Sequence, residues 1–225
     1  ATGLAVASAA FVGVGLAAQQ AYATLRAGAE LQTTTERFGK LAAQINSTSD
    51  ALLGKLRTAT SGMIADSELM AAASDLVSLG LTRTEDQTVR LASVAGQLGW
   101  NMQALIMEMN NMTGLRLDAL GLQMDAVKAK AKELEAAGMS AKDAWAEAII
   151  QAGEARLDVG GVSEAEQAFK QAEAAVVNFK NAVLESTIAT LSQAGAFESL
   201  AATANSIQLA TDFRGELAAL REEGA

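Results

Sequence analysis

The sequence contains no histidine, no cysteine and no proline. Without histidine and cysteine it has no Ser-His or Cys-His nucleophile pair, no imidazole or thiolate metal ligand, and no disulfide bond. Without proline, only its 19 glycines remain to interrupt a long helix. These absences predict that the chain is not an enzyme, and no catalytic, cofactor-binding or metal-binding residue is assigned.

Aromatic residues are also scarce, at 4% of the chain, although half of all residues are hydrophobic. Alanine, leucine, valine and methionine must therefore supply the buried surface, and such small side chains favour close helix packing. No run of alternating β-branched and aromatic residues bounded by turn dipeptides is present. The predicted fold class is all-α, with long coiled-coil-like helices flanking a cluster of short helices.

Basic residues are few: 17 lysines and arginines stand against 26 acidic residues, giving a net charge of −9. A nucleic-acid-binding protein needs a basic face that neutralises phosphates, so no specific nucleic-acid binding is predicted. An acidic chain suits a protein that shares a narrow space with DNA without binding it. A plain acidic surface of a soluble protein is the simpler interpretation.

Residues 50–121 are predicted to form the short-helix cluster, because glycines cut this stretch into short helical patterns. Asp66 and Gly80 bracket one helix, and Thr84 with Gln87 caps the next. That second helix buries Leu91, Val94, Ala95 and Leu98. A third has the apolar stripe Met102, Leu105, Ile106, Met109 and Met112. The methionines at 102, 107, 109 and 112 form either a plain core or an adaptable interface.

Longer helical patterns flank this cluster. Residues 1–46 hold an apolar N-terminal helix and a heptad-like helix, residues 122–161 a helical pair, and residues 162–225 long C-terminal helices. The polar run 46–50 is the predicted linker before the cluster. The heptad-like helix has a seam that faces either another copy or the chain's own C-terminal half, formed by Leu31, Thr34, Phe38, Leu41 and Ile45.

Residues 1–18 carry no charge. The fifteen residues from Leu4 to Ala18 extend about 22 Å as a helix, less than the roughly 30 Å hydrocarbon core of a bilayer. No positively charged region precedes them, so no signal peptide is predicted. A stripe of small residues recurs every four positions, at Ala5, Ala9, Gly13, Ala17 and Ala21. This membrane or close-packing stripe indicates either a membrane-active segment or tight packing against sister helices.

The longest uninterrupted pattern begins at Ser163, where Ser163 and Glu166 form a predicted capping box. It predicts a helix of about thirty residues. Its apolar positions step by three and four, which is typical of a coiled-coil seam. The predicted oligomer seam consists of Phe169, Val176, Phe179 and Val183.

Glu108 is the one carboxylate embedded in a strongly apolar helix, between Met107 and Met109. A raised pKa there would suit a general acid. A single glutamate on a helix edge is far more often solvated, and that is the expectation for Glu108.

Three pieces of the sequence resemble the helical region shared by many phage tail tape measure proteins. They are the run 56–70, the pair Leu79-Gly80 and the run 118–121, within a resemblance that covers residues 56–185. The motif positions are structural in this family and carry no chemistry. They are Leu56, Gly62, Asp66, Leu69, Gly80, Asp118, Leu120 and Gly121.

The resemblance implies a structural virion protein without cofactors. Its copies would fill the tail lumen or reach the tail tip, set tail length, and assist DNA ejection across the host envelope. It further implies a homo-oligomer, with three copies favoured over six. The implied partners are tail tube and tail tip proteins and, on ejection, the host membrane.

Two other functions fit the same patterns. A membrane-active α-helical pore former or toxin would shield residues 4–18 until release. A coiled-coil scaffold of cellular origin would need neither a tail nor a membrane.

Overall fold

A computed structural model describes the backbone of residues 3–111 and 120–193, and the side chains of residues 23–24, 26–111 and 120–190. These described residues form eight helices and no strand, so the all-α prediction is confirmed. The helices are α1 Gly3–Gln44, α2 Ser49–Ala59, α3 Asp66–Ser78, α4 Glu85–Gln97, α5 Met102–Asn111, α6 Met124–Ala136, α7 Ala141–Leu157 and α8 Glu164–Gln193.

Two long helices precede and follow the short ones along the chain. α1 has 42 residues and α8 has 30, whereas the six helices between them have 10 to 17. The predicted coiled-coil pairing of the long helices, and the predicted domain boundaries, stay predictions. Contacts between Cα atoms divide the chain into two units, residues 1–30 with 182–225, and residues 31–181.

Within the first unit, α1 approaches the end of α8 closely at Gly28. A Cβ atom at Gly28 would lie 1.6 Å from Cδ1 of Ile188. The absence of a side chain at this position therefore sets the distance between the two helices here.

Polar caps start most of the short helices in the second unit. The Oγ1 atom of Thr84 accepts the amide of Gln87 at 3.2 Å, and the Gln87 side chain accepts the amide of Arg83 at 3.0 Å. The cap predicted at Thr84 is thus confirmed, and two amides left without helical partners are satisfied. Ser140 caps α7 in the same way through the amide of Asp143.

The start of α3 differs slightly from the expectation. Asp66 is the first helical residue and Ala65 occupies the N-cap, where no side chain bonds to the helix. The amide of Asp66 donates instead to Oδ1 of Asn178 in α8, at 2.8 Å. A residue distant in sequence therefore supplies a bond that a local cap supplies elsewhere.

The core of the second unit joins α1 to the short helices. Leu31 and Phe38 of α1, and Ile45 directly after it, belong to the same buried cluster as side chains of α2 to α7. The Arg37 guanidinium also pairs with Asp75 of α3 at 2.8 Å. The seam predicted on α1 therefore packs on the chain's own short helices, most of which lie in the N-terminal half. Of the two partners expected for this seam, the C-terminal half contributes to the cluster through α6 and α7, and contact with another copy stays a prediction. Periodicity identifies a buried face without identifying what covers it.

α4 lies between α2 and α7 and contacts both. Leu91, Val94 and Ala95 are fully buried, as predicted for its apolar face. Two glycines allow these contacts. A Cβ at Gly96 would lie 2.9 Å from Cβ of Thr60, and a Cβ at Gly153 in α7 would lie 2.2 Å from Cγ1 of Val94. Close approach of backbones replaces the bulk that aromatic side chains provide in other cores.

We expect Gly96→Ala to destabilise the protein. Its Cβ would meet the Cα and Cβ of Thr60 at 3.1 and 2.9 Å, atoms that move only with the backbone. Overpacking of this kind costs about 1 to 3 kcal/mol, more than alanine gains in helix propensity. Urea unfolding followed by circular dichroism measures the change.

Gly54→Ala is the matched control, because Gly54 lies inside α2 and a Cβ added there would have no atom within 4 Å. This substitution should stabilise the protein by about 0.5 to 1 kcal/mol through helix propensity alone. If both substitutions changed the free energy of unfolding by the same amount, the backbones at Thr60 and Gly96 would not approach closely.

Candidate interaction surface

An exposed apolar stripe runs along α8. Nine large hydrophobic side chains are exposed in the described part of the chain, and five of them lie on this one helix. Phe169, Val176 and Phe179 are 65%, 68% and 73% exposed, and Val183 is 48% exposed. These four are the residues predicted as the oligomer seam. Clustered exposure of this kind marks an interaction site more often than scattered exposed residues do.

The opposite face of α8 packs on the short helices through small and polar side chains. Ala174 is 4% exposed. The Gln171 amide donates to the Ser61 carbonyl at 2.7 Å, and Asn178 accepts the Asp66 amide. The Asn181 amide donates to Oγ of Ser67 at 3.0 Å. The helix is therefore attached by its polar side and presents its apolar side outward, the reverse of an ordinary surface helix.

The loop before α8 ties its start to the end of α4. The amide of Val162 donates to the carbonyl of Gln97 at 2.9 Å. Oγ of Ser163 accepts the amide of Glu166 at 3.3 Å, which is one half of the predicted capping box. The Glu166 carboxylate turns forward and pairs with Lys170 at 3.4 Å. These bonds hold the start of α8 in place, and the contacts of its polar face hold its rotation about the helix axis.

Charged side chains follow one edge of the stripe and alanines follow the other. In heptad notation, Phe169 and Val176 take position a, and Ala172 and Phe179 take position d. Position e then carries Glu166, Glu173 and Lys180, all exposed, and position g carries Ala168 and Ala175. The stripe is therefore an apolar seam with two acidic groups and one basic group along a single side.

Among the described positions that carry the tape measure resemblance, the leucines lie in or against the core and the glycines lie in turns. Leu56 and Leu69 are each 1% exposed, and Asp66 pairs with Arg57 at 2.6 Å. The hydrogen bond to Asp66 raises the pKa of Arg57. Gly62, Gly80 and Gly121 lie in turns with φ of +69°, +65° and +74°, which favour glycine.

The structure describes only some of the other residues singled out in the sequence. Leu120 is partly buried and packs against the core. Asp118 and Met112 lie outside the described residues. The side chains of the small-residue stripe, Ala5, Ala9, Gly13, Ala17 and Ala21, also lie outside the described part of the structure.

The expectation that Glu108 is solvated was wrong. Its side chain is 8% exposed, on the same helix as the buried Met102, Leu105 and Met109. α5 contacts both α3 and α4, and the helical pattern alone does not show how much of a helix such contacts bury. Among the residues that the structure describes, no group of three or more acidic side chains is placed to hold a metal ion.

An ion-pair network that the sequence analysis missed joins α4 to α7. The Arg90 guanidinium makes two bonds to Glu154, at 2.7 and 2.8 Å, and two to Glu147, at 3.1 and 3.3 Å. The hydrogen bond to Glu154 and the charge of Glu147 raise the pKa of Arg90. Glu147 is 8% exposed, so its charge depends on this partner. No local pattern signals a pairing between residues 57 positions apart.

Comparison with known protein families, with curated proteins and with solved structures gives no match. Over the residues for which the structure gives a description, none of the helices has the length and apolar character needed to cross a membrane.

We expect Arg90→Met to destabilise the protein by about 1 to 3 kcal/mol, because it leaves the buried Glu147 carboxylate without its cation. Lys130→Met is the matched control, since Lys130 pairs with Glu133 on an exposed helix surface. That change should alter the free energy of unfolding by less than about 0.5 kcal/mol. Thermal and urea unfolding at neutral pH compare the two, and similar losses would contradict a special role for Arg90.

Proposed function

We propose that the chain is a segment of a phage tail tape measure protein. In this role it occupies the tail lumen, contributes to tail length, and assists DNA ejection across the host envelope. The observation that supports this best is the order of elements along the chain, in which a short-helix cluster follows one long helix and precedes another. The residues that resemble the family supply the buried leucines and turn glycines of that cluster.

Long helices suit a protein that measures distance. α1 and α8, with 42 and 30 residues, extend about 63 and 45 Å at 1.5 Å per residue. Removing residues from such a helix shortens it in proportion, whereas removing them from a globular core disrupts packing. A fully helical chain of 225 residues would reach roughly 340 Å.

The acidic surface supports the same role. A net charge of −9 keeps the chain from adhering to DNA that passes through the same narrow space. The charged edge of the α8 stripe is also acidic, because two of its three charged residues are glutamates.

Several copies, three or six, are proposed to share the lumen, with tail tube and tail tip proteins as neighbours. The exposed seam of α8 offers a surface for contact between copies. Residues 4–18 are proposed to contact the host membrane after ejection, which extends the localisation from the virion to the host envelope.

The ruler role is tested by deleting residues 5–25 from the gene in the native phage. These 21 residues belong to α1 and correspond to about 32 Å of helix. We expect tails shorter by about that distance in electron micrographs of intact particles. Unchanged tail length would remove this segment from length determination.

Replacement of residues 5–25 by an unrelated helix-forming sequence of the same length is the matched control, and it should keep tail length constant. Liposome leakage by the purified chain, compared with a version that lacks residues 1–20, tests the alternative of a pore former or toxin. Strong leakage that requires residues 1–20, without any tail component, would favour the toxin over the tail protein.

A further inference from the structure

We propose that α8 pairs with α8 of a second copy of the chain, in antiparallel orientation, through Phe169, Ala172, Val176 and Phe179. The proposal rests on the exposure of this seam and on the order of charges beside it, and it does not depend on the proposed tail function. The polar attachment of the opposite face leaves the seam free to face another molecule.

The seam is self-complementary when the second helix runs in the opposite direction. In an antiparallel pair of heptad helices, position a of one helix lies level with position d of the other. Aligning Phe169 with the second copy's Phe179 also aligns Val176 with its Ala172. A two-fold axis repeats each contact, because an interface between identical copies is isologous. Aromatic pairs then enclose a centre in which each valine faces an alanine, so large and small side chains interlock.

The charges beside the seam select this orientation. In antiparallel pairs, position e lies beside position e of the second helix. The register above therefore places Glu166 beside the second copy's Lys180, and symmetry makes this contact twice. Two Glu173 carboxylates approach each other near the axis, and their repulsion offsets part of the gain.

A parallel pair lacks these contacts. Position e would then face position g, where Ala168 and Ala175 stand. Glu173 and Lys180 would then meet alanines, and no opposite charges would pair. The same alanines favour the antiparallel pair, because they line its other edge and allow the two helices to approach closely.

Other occupants fit this surface less well. Glu166 and Glu173 beside the stripe disfavour an anionic membrane surface and nucleic acid. A second copy needs no further component, since one seam supplies both halves of the contact. Pairs related by a two-fold axis are compatible with six copies, as three pairs, and incompatible with three copies that all run in one direction.

Cross-linking of single-cysteine variants tests the orientation, because the chain has no cysteine of its own. A tagged Glu166→Cys chain is mixed with an untagged Lys180→Cys chain and treated with a short bismaleimide. We expect a cross-link between the two variants and little within either one, because identical residues at 166 lie about 16 positions, roughly 24 Å, apart along the antiparallel pair. Cross-links within each variant, and none between them, would overturn the proposal in favour of a parallel assembly.

Charge exchange tests the register. In sedimentation equilibrium, Lys180→Glu should weaken dimerisation about tenfold, because it converts both attractive pairs into repulsive ones. Adding Glu166→Lys to this variant should restore the dissociation constant of the unaltered chain. If the double variant is as weak as Lys180→Glu alone, the proposed register is wrong.

Val176→Asp should abolish association, since it places a carboxylate in the centre of the seam. Val159→Asp is the matched control, because Val159 is 88% exposed and lies before α8. Circular dichroism should show both variants folded, since neither valine is buried. A chain that remains monomeric at several hundred micromolar overturns the pairing and leaves the tail-length assay unaffected. Conversely, a dimer together with an unchanged tail length would overturn only the tail role.

Discussion

The attachment of α8 by its polar face is the constraint on which the proposed surface depends. Gln171, Asn178 and Asn181 bond to backbone and side-chain groups of the short helices, and Ala174 is buried between them. Contacts spaced three and four residues apart fix the rotation of a helix about its axis. Because one face is held in this way, the two phenylalanines on the other face lie in solvent. The described contacts between this helix and the short helices are therefore mainly polar.

A second constraint is the small size of the side chains at helix crossings. Thr60 meets Gly96, and Val94 meets Gly153, at distances that leave no room for a Cβ. A chain with 4% aromatic residues builds a packed interior by bringing backbones together. The Arg90 network adds a charged contact between the same two helices, α4 and α7, that Val94 and Gly153 join.

Local signals in the sequence predicted the helices well. The cap at Thr84 and the glycine after α3 define helix ends that the structure shows. Helix ends can be predicted from local sequence because a capping side chain bonds to amides within three residues of itself. Long-range features escaped prediction for the converse reason. The surface that covers Phe38, the burial of Glu108 and the partners of Arg90 all depend on segments distant in sequence.

The surface on α8 was predictable in part. Heptad spacing identified Phe169, Val176, Phe179 and Val183 as a seam, and the structure shows their exposure. Which face of α8 the short helices would bind was not predictable, because asparagine and glutamine carry no periodic hydrophobic signal. The resemblance to tape measure proteins, and the oligomer it implies, stay predictions that the tail-length and association measurements address.

The bond between the Asp66 amide and Asn178 has a consequence for synthesis of the chain. The two residues are 112 positions apart, so α3 leaves the ribosome long before its first turn receives this acceptor. During translation that amide bonds to water, and α3 gains its final contact only when α8 emerges. A chain that ends before Asn178 therefore lacks the acceptor for the first amide of α3, and the short-helix cluster keeps this amide in water.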